Sequence, residues 1–156
     1  MTNASPALPT GCVLRPATSR DIWAIRKLVL LAKLDPTQLR WSQFSVIEFE
    51  GQVVACGQLR SFQTAQELGS MVVAPAWRGR GLGTYIAKHL IEVATQPLYL
   101  ECLGSNLAAF YARFGFVPVS WRELPLPLKR KFSLSALAAT LVRLPVTLMQ
   151  YRQSRE

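Results

Sequence analysis

Cysteine and acidic side chains are scarce in this sequence of 156 residues, which contains three cysteines and nine aspartates and glutamates. Cys12, Cys56 and Cys102 are odd in number, and they stand in apolar surroundings without a CxxC or Cys/His pattern. Neither a disulfide framework nor a structural metal site is therefore expected. Free thiols are typical of a reducing compartment, so the sequence predicts a cytoplasmic location.

Long apolar runs are missing as well. A membrane-spanning helix needs about eighteen or more consecutive apolar residues. The nearest candidate, over 132–149, is interrupted by Arg143 and Pro145, so no transmembrane segment is expected. Residues 1–11 have neither the basic nor the apolar region of a signal peptide, and we predict that they form a disordered N-terminal tail.

Basic side chains are abundant: 18 lysines and arginines give a net charge of +9. More than half of this excess lies from Arg122 onward. Such a balance permits binding to nucleic acid, acidic lipid or a phosphate-rich cofactor, and charge alone does not choose among them. The run Lys129–Lys131 is interpreted as a solvated surface segment.

Hydrophobic periodicity predicts one α/β domain over 12–156, with a basic helical insert over 120–144 before the last strand. Within the insert, the prolines at 125 and 127 indicate a loop, followed by a helix over 133–144. Elsewhere, we predict strands over 12–16, 44–49, 53–59, 67–74, 98–102, 116–119 and 145–151. Helices are expected over about 18–33, from 82 to beyond 90, and from 105 to 114.

One segment combines glycine and arginine in a way that suggests chemistry. A predicted strand ends at Pro75, and Arg78-Gly-Arg-Gly81-Leu-Gly83-Thr84 leads into a helix. Glycines let backbone N–H groups approach an anion, and a helix N-terminus adds partial positive charge. The pattern predicts a pyrophosphate cradle. It is not a Walker loop, because no Gly-Lys-Ser/Thr follows.

The same segment resembles the signature of the GCN5-related N-acetyltransferase (GNAT) superfamily. Its Arg/Gln-x-x-Gly-x-Gly/Ala pattern is matched by Arg78–Gly83, after the strand segment Met71-Val-Val73-Ala-Pro75. A second family landmark, Tyr-x-x-x-Gly-Phe at a helix end, is matched by Tyr111-Ala-Arg-Phe-Gly115-Phe116. The resemblance covers roughly residues 12–120. It implies a GNAT-like α/β fold with a mixed, mostly antiparallel sheet of about six to seven strands flanked by helices.

The resemblance also implies acetyl-CoA as co-substrate, direct transfer to a primary amine, and no metal. Tyr111 would protonate the departing thiolate. Backbone groups of the strand would pair with the pantetheine arm, and one N–H would stabilise the oxyanion. The implied cofactor-binding residues are Met71, Val72, Val73, Arg78, Gly79, Arg80, Gly81, Leu82, Gly83, Thr84 and Asn106.

A general base must take a proton from the attacking ammonium, and two carboxylates compete for this role. Glu101 lies in an apolar strand, at a position used by ribosomal-protein acetyltransferases of the superfamily, and Glu67 begins the preceding strand. A water-relayed base is a third alternative. Asn106 departs from the family spacing: it lies five residues before Tyr111 rather than seven, and it serves equally well as a helix cap.

Each of these residues has an ordinary structural alternative. Tyr111 could be a core aromatic, Glu101 an edge residue or ion-pair member, and Glu67 a solvated residue at a strand start. A non-catalytic acyl-CoA sensor is the alternative function. Nucleic-acid binding is not expected, and the formation of a homodimer is left open. The insert over 120–144 is the candidate determinant of substrate choice.

Overall fold

A computed structural model describes residues 7–133 and 145–153 of the chain. Its strands are β1 (Cys12–Pro16), β2 (Phe44–Phe49), β3 (Gln52–Ser61), β4 (Gln66–Val73), β5 (Leu98–Leu103), β6 (Phe116–Pro118) and β7 (Val146–Tyr151). Its helices are α1 (Ile22–Leu31), α2 (Leu82–Val93), α3 (Ser105–Ala112) and α4, helical over 126–133. Alternating apolar residues had predicted all seven strands.

The strands form one sheet in the order β1-β2-β3-β4-β5-β7-β6. The pairs β1–β2, β2–β3, β5–β7 and β6–β7 are antiparallel, whereas β4 and β5 run parallel. The parallel register covers two positions only, Gln66 opposite Leu98 and Glu67 opposite Tyr99. The predicted mixed, mostly antiparallel α/β sheet is therefore confirmed.

The described chain divides into two compact units. The first, here called the N-terminal unit, contains the residues up to Arg60 together with Leu68–Val93. In its core, Ile25, Leu28 and Val29 of α1 are buried in one cluster with β2 and β3 residues. This spacing is that of one helix face, which explains why α1 forms and which side it buries.

Gly57 of β3 lets α2 pack closely within the N-terminal unit. A Cβ at this position would lie 2.6 Å from Cγ2 of Ile86 and 2.9 Å from Cδ1 of Leu90. Both distances are shorter than a normal carbon contact, so any larger residue would displace the helix or its side chains.

The second unit, here called the C-terminal unit, contains Ser61–Glu67 and the described residues from Ala94 onward. Its core cluster joins Tyr99 of β5 to one face of the segment that follows β6. Leu124, Leu128 and Phe132 repeat at intervals of four residues, and all are buried. Helical spacing thus places α4 against β5.

Several local predictions were wrong. The proline-containing segment around 125–132 is not a loop, because α4 begins at 126 and prolines are tolerated in a first helical turn. The side chains of Val93 on α2 and Leu107 on α3 are 46% exposed, so neither lies on the buried face of its helix. The N-cap of α3 is Gly104, so Asn106 is not the cap of this helix. Residues 134–144 of the predicted insert helix lie outside the described residues.

Within residues 7–133 and 145–153, no helix is both long and apolar enough to cross a bilayer.

Candidate active site

The predicted anion cradle lies in the N-terminal unit, where β4 is followed by a single turn of 3-10 helix (Pro75–Trp77) and then by α2. Gly79 and Gly81 adopt positive φ values of 76° and 81°, which side chains rarely allow. A Cβ on Gly79 would meet no atom within 4 Å. The space beside the backbone is therefore open at the N-terminus of α2, as a bound phosphate requires.

Two arginines add full charges to this loop. Arg78 and Arg80 are both exposed, and Nε of Arg78 donates to the carbonyl oxygen of Val73 at 3.3 Å. The Arg80 guanidinium lies 4.6 Å from the ring centre of Trp77, which in turn contacts Phe49. Trp77 is thus a packing residue that supports Arg80 by a cation–π contact. The donor set suits the pyrophosphate of a nucleotide such as acetyl-CoA.

The strand that leads to the loop is irregular at Ser70, whose φ is +47° although it is not glycine. Two contacts hold this conformation within the N-terminal unit. Nη2 of Arg60 donates to Oγ of Ser70 at 2.9 Å, and the Cys56 thiol donates to the Ser70 carbonyl at 3.6 Å. A left-handed residue interrupts regular strand hydrogen bonding, so the backbone of Met71, Val72 and Val73 continues from a kink.

Sequence reasoning missed two buried polar side chains of β3, one of which contacts Ser70. Gln58 is fully buried and Arg60 is 8% exposed, at alternate positions of the otherwise apolar β3. Nε2 of Gln58 donates to the carbonyl of Gln38 and to Oε1 of Gln43, each at 2.9 Å. Alternation of polar residues on a buried strand face was the signal that could have found them.

Tyr111 lies in the C-terminal unit at the end of α3, and it is 7% exposed. Its ring meets those of Phe110 and Phe116 at 5.1 and 5.8 Å. Burial, with a smaller contribution from the Cys102 thiol, raises the pKa of Tyr111 well above its ordinary value. The phenol therefore keeps its proton at neutral pH and is a hydrogen donor there.

Both candidate carboxylates belong to the C-terminal unit, on one face of its sheet. Glu67 lies opposite Tyr99 in the parallel register, and Glu101 follows Tyr99 by two residues. Neighbouring residues in register, and residues two apart on a strand, share a face. Cys102 follows Glu101 directly, so its side chain points to the other face.

Glu67 is 3% exposed, and its Oε1 accepts a hydrogen bond from Nζ of Lys131 on α4. The alternative that Glu67 is a solvated residue at a strand start is therefore wrong. The interpretation of Lys129–Lys131 as a uniformly solvated run is also wrong, since the side chain of Lys131 is only 15% exposed. Glu101 is half-buried.

Asn106 is exposed in the first turn of α3. The cradle residues and the strand segment 71–73 belong to the N-terminal unit, whereas Tyr111, Glu67, Glu101 and Asn106 belong to the C-terminal unit. In the described parts of the chain, no group of three or more histidine, cysteine, aspartate or glutamate side chains is arranged to hold a metal ion.

Comparison with known proteins gives a family match. The model of the "Acetyltransferase (GNAT) domain" family matches residues 40–118, which are 79 of the 156 residues. This range contains β2 to β6, the glycine–arginine loop and Tyr111.

Two curated relatives carry the name "Amino-acid acetyltransferase". The protein from Pseudomonas putida is 28% identical over 126 residues, covering 72% of this chain and 29% of the relative. The protein from Neisseria meningitidis is 31% identical over 88 residues, covering 54% of this chain and 20% of the relative. This chain thus spans less than a third of the length of either relative.

Solved structures show the same fold. N-acetylglutamate synthase from Neisseria gonorrhoeae, complexed with coenzyme A and L-arginine, superposes with a TM-score of 0.70 at 22% identity, covering 94% of this chain and 34% of that one. Rv2747 from Mycobacterium tuberculosis, crystallised with CoA, gives a TM-score of 0.71 at 24% identity, covering 90% of this chain and 99% of that one.

Proposed function

Because the chain belongs to the GNAT family of acetyltransferases, we propose that it transfers the acetyl group of acetyl-CoA to the amino group of an amino acid. The observation that carries acetyl-CoA binding is the open glycine–arginine loop at the start of α2. The choice of an amino acid as acceptor is supported by the relatives named for that substrate, which align over as many as 126 residues.

In this proposal the backbone amides of Gly79–Thr84 bind the pyrophosphate, assisted by the side chains of Arg78 and Arg80. Donors fixed at a helix start need no reorganisation when an anion arrives. Met71–Val73 pair through their backbone with the pantetheine arm, and an N–H of this segment stabilises the oxyanion. The left-handed backbone conformation of Ser70 directly precedes this segment, and this irregularity of the strand supports the last role.

Acetyl-CoA supplies a thioester carbonyl that the acceptor nitrogen attacks. A C–N bond forms, the C–S bond breaks, and CoA leaves as a thiol. The acceptor ammonium first gives its proton to a base, because a protonated amine has no lone pair. We assign this role to Glu67 and keep Glu101 as the alternative. Tyr111, which burial keeps protonated, donates its proton to the departing sulfur of CoA.

Glu67 is preferred because its buried side chain is in direct contact with Lys131, which fixes the position of the carboxylate. Replacing each glutamate by glutamine separates the alternatives. Glu67→Gln should lower kcat by about 10²-fold or more, the contribution usual for a general base, while Glu101→Gln retains turnover.

The decisive experiment titrates the folded protein with acetyl-CoA by calorimetry, with dephospho-CoA and ATP as controls, and then screens amino acids by release of free CoA thiol. Micromolar binding followed by acceptor-dependent thiol release would support the proposal. Binding without turnover of any amine would favour a non-catalytic acyl-CoA sensor, and absence of binding would contradict both.

Location and assembly belong to the same proposal. The three cysteines are free thiols, which agrees with a cytoplasmic site of action. We do not propose nucleic acid as a partner, and a homodimer is to be tested by sedimentation. The proposed domain limits are a tail over residues 1–11 and an acetyltransferase domain over residues 12–156. This domain includes the insert over 120–144.

A further inference from the structure

The contact between Lys131 and Glu67 connects a basic helix to a candidate catalytic carboxylate inside the C-terminal unit. Nζ of Lys131 donates to Oε1 of Glu67, and the two side chains are 15% and 4% exposed. The residues are 64 positions apart in the chain. Lysine side chains are seldom removed from solvent to this extent without a partner, and here the partner is Glu67.

The packing of α4 fixes where the lysine points. Leu128 and Phe132 are fully buried in the core cluster around Tyr99, and Lys131 lies between them in sequence. Nζ of Lys131 is also 4.9 Å from the ring centre of Phe132. By contrast, Arg130 is exposed. Adjacent basic residues on one helix therefore have opposite environments.

We propose that Lys131 is a positioning residue for the acetyl transfer reaction, acting through Glu67. Its contact with Oε1 orients the Glu67 carboxylate, so that this carboxylate accepts the proton of the acceptor ammonium. The inference rests on the proposed function, in which Glu67 is the base. It gives the segment between β6 and β7 a part in the reaction, because its helix carries the cation.

A purely structural ion pair makes different predictions from a positioning pair. A structural lysine contributes to stability whether or not Glu67 can take up a proton. A positioning lysine affects turnover only through that carboxylate, so its effect on kcat disappears when the carboxylate is replaced by an amide. Non-additivity of two substitutions is the measurable sign that they act on one step.

The test compares wild type with Lys131→Met, Lys131→Arg, Glu67→Gln and the double variant Lys131→Met/Glu67→Gln. Arg130→Met is the matched control, since it removes one positive charge from the exposed side of the same helix. For each protein we would measure kcat, the KM for acetyl-CoA and the thermal unfolding midpoint. Binding of acetyl-CoA by calorimetry verifies that every variant keeps the cradle.

We expect Lys131→Met to lower kcat by about 10-fold or more, but by less than the roughly 10²-fold or more lost with the base itself, with little change in the KM for acetyl-CoA. Lys131→Arg should recover most of the activity, because it keeps the charge, and Arg130→Met should match wild type. The double variant should be no slower than Glu67→Gln alone. If Lys131→Met does not fold, the double variant and Lys131→Arg test the proposal in its place. Neither of them leaves a buried carboxylate without a cation, so both should fold.

Wild-type kcat in Lys131→Met, or a double variant much slower than Glu67→Gln, would overturn the inference while leaving acetyl transfer intact. Full activity of Glu67→Gln would overturn it too, and would assign the base to another group. A wild-type protein that binds acetyl-CoA but acetylates no amine would instead overturn the proposed function, and this inference with it.

Discussion

Arg15 and Asp21 form a two-point ion pair at the start of α1: Nη1 lies 2.8 Å from Oδ2 and Nη2 lies 3.0 Å from Oδ1. Nε of the same guanidinium donates to Glu48 of β2 at 2.8 Å. One arginine thereby ties β1 to both the turn before α1 and the neighbouring strand. The backbone N–H of Thr18 also donates to Asp21, at 2.7 Å.

This pair makes the stability of the N-terminal unit depend on pH. The hydrogen bond from Arg15 lowers the pKa of Asp21 from 3.8 to about 2, against the opposing effect of burial. Because the folded pKa is the lower one, the stabilisation is present above pH 4 and is lost as the pH falls towards 2. At neutral pH it amounts to about 2 kcal/mol.

Asp21→Asn should therefore lower the free energy of unfolding at pH 7 by about 2 kcal/mol, and the difference from wild type should shrink at pH 2.5. Urea unfolding at both pH values measures it. Glu92→Gln, which alters an exposed carboxylate on α2, serves as the control and should change little. An equal loss at both pH values would show that the charge of Asp21 is not responsible.

The close approach of α2 to β3 makes a second prediction. Gly57→Ala places a methyl group 2.6 Å from Cγ2 of Ile86, so we expect a loss of about 1–3 kcal/mol in the free energy of unfolding, as for other overpacked cores. The same substitution should cost less in an Ile86→Ala background, where the nearer of the two opposing atoms is gone and only Leu90 remains close. Equal costs in both backgrounds would show that the contact with Ile86 is not the source of the loss.

How far the sequence determines these features depends on the range of the interaction. Strand alternation and helical spacing are local, and they predicted every strand as well as α1, α2 and α3. The error at Pro125 and Pro127 arose because proline is compatible with a first helical turn as well as with a loop. The glycine–arginine loop was also predictable, since Arg78–Gly83 is contiguous.

The rest of the site depends on contacts between distant residues. Lys131 and Glu67 are 64 positions apart, and neither shows locally that it is buried. The left-handed conformation of Ser70 depends on Arg60, which lies on another strand. Such pairings follow from tertiary packing, and one-dimensional periodicity does not contain them.

Removal of the two arginines of the glycine–arginine loop should change the affinity for acetyl-CoA. Charge-assisted hydrogen bonds contribute roughly 1.5–3 kcal/mol each, so Arg78→Ala/Arg80→Ala should weaken acetyl-CoA binding by at least about 10-fold. Calorimetric titration measures the change. Arg26→Ala, which removes an exposed arginine stacked on Trp23 away from the loop, is the control. Unchanged affinity in the double variant would argue against the cradle.

Tyr111 allows the acid role to be separated from cofactor binding. Tyr111→Phe keeps the aromatic ring that packs on Phe110 and Phe116 but removes the hydroxyl. We expect kcat to fall by about 10²-fold, as general acid catalysis usually contributes, while acetyl-CoA affinity and the unfolding midpoint stay close to wild type. Tyr85→Phe on α2 is the control for loss of a hydroxyl elsewhere.

The pH profile tests the same role independently. Because burial raises the pKa of Tyr111 above its ordinary value of 10.0, the phenol keeps its proton throughout the range from pH 7 to 9.5. Wild-type kcat should therefore show no decline from loss of this proton below pH 9.5. A Tyr111→Phe variant with undiminished kcat would assign thiolate protonation to another donor or to water. Tyr111 would then be a core aromatic of the C-terminal unit.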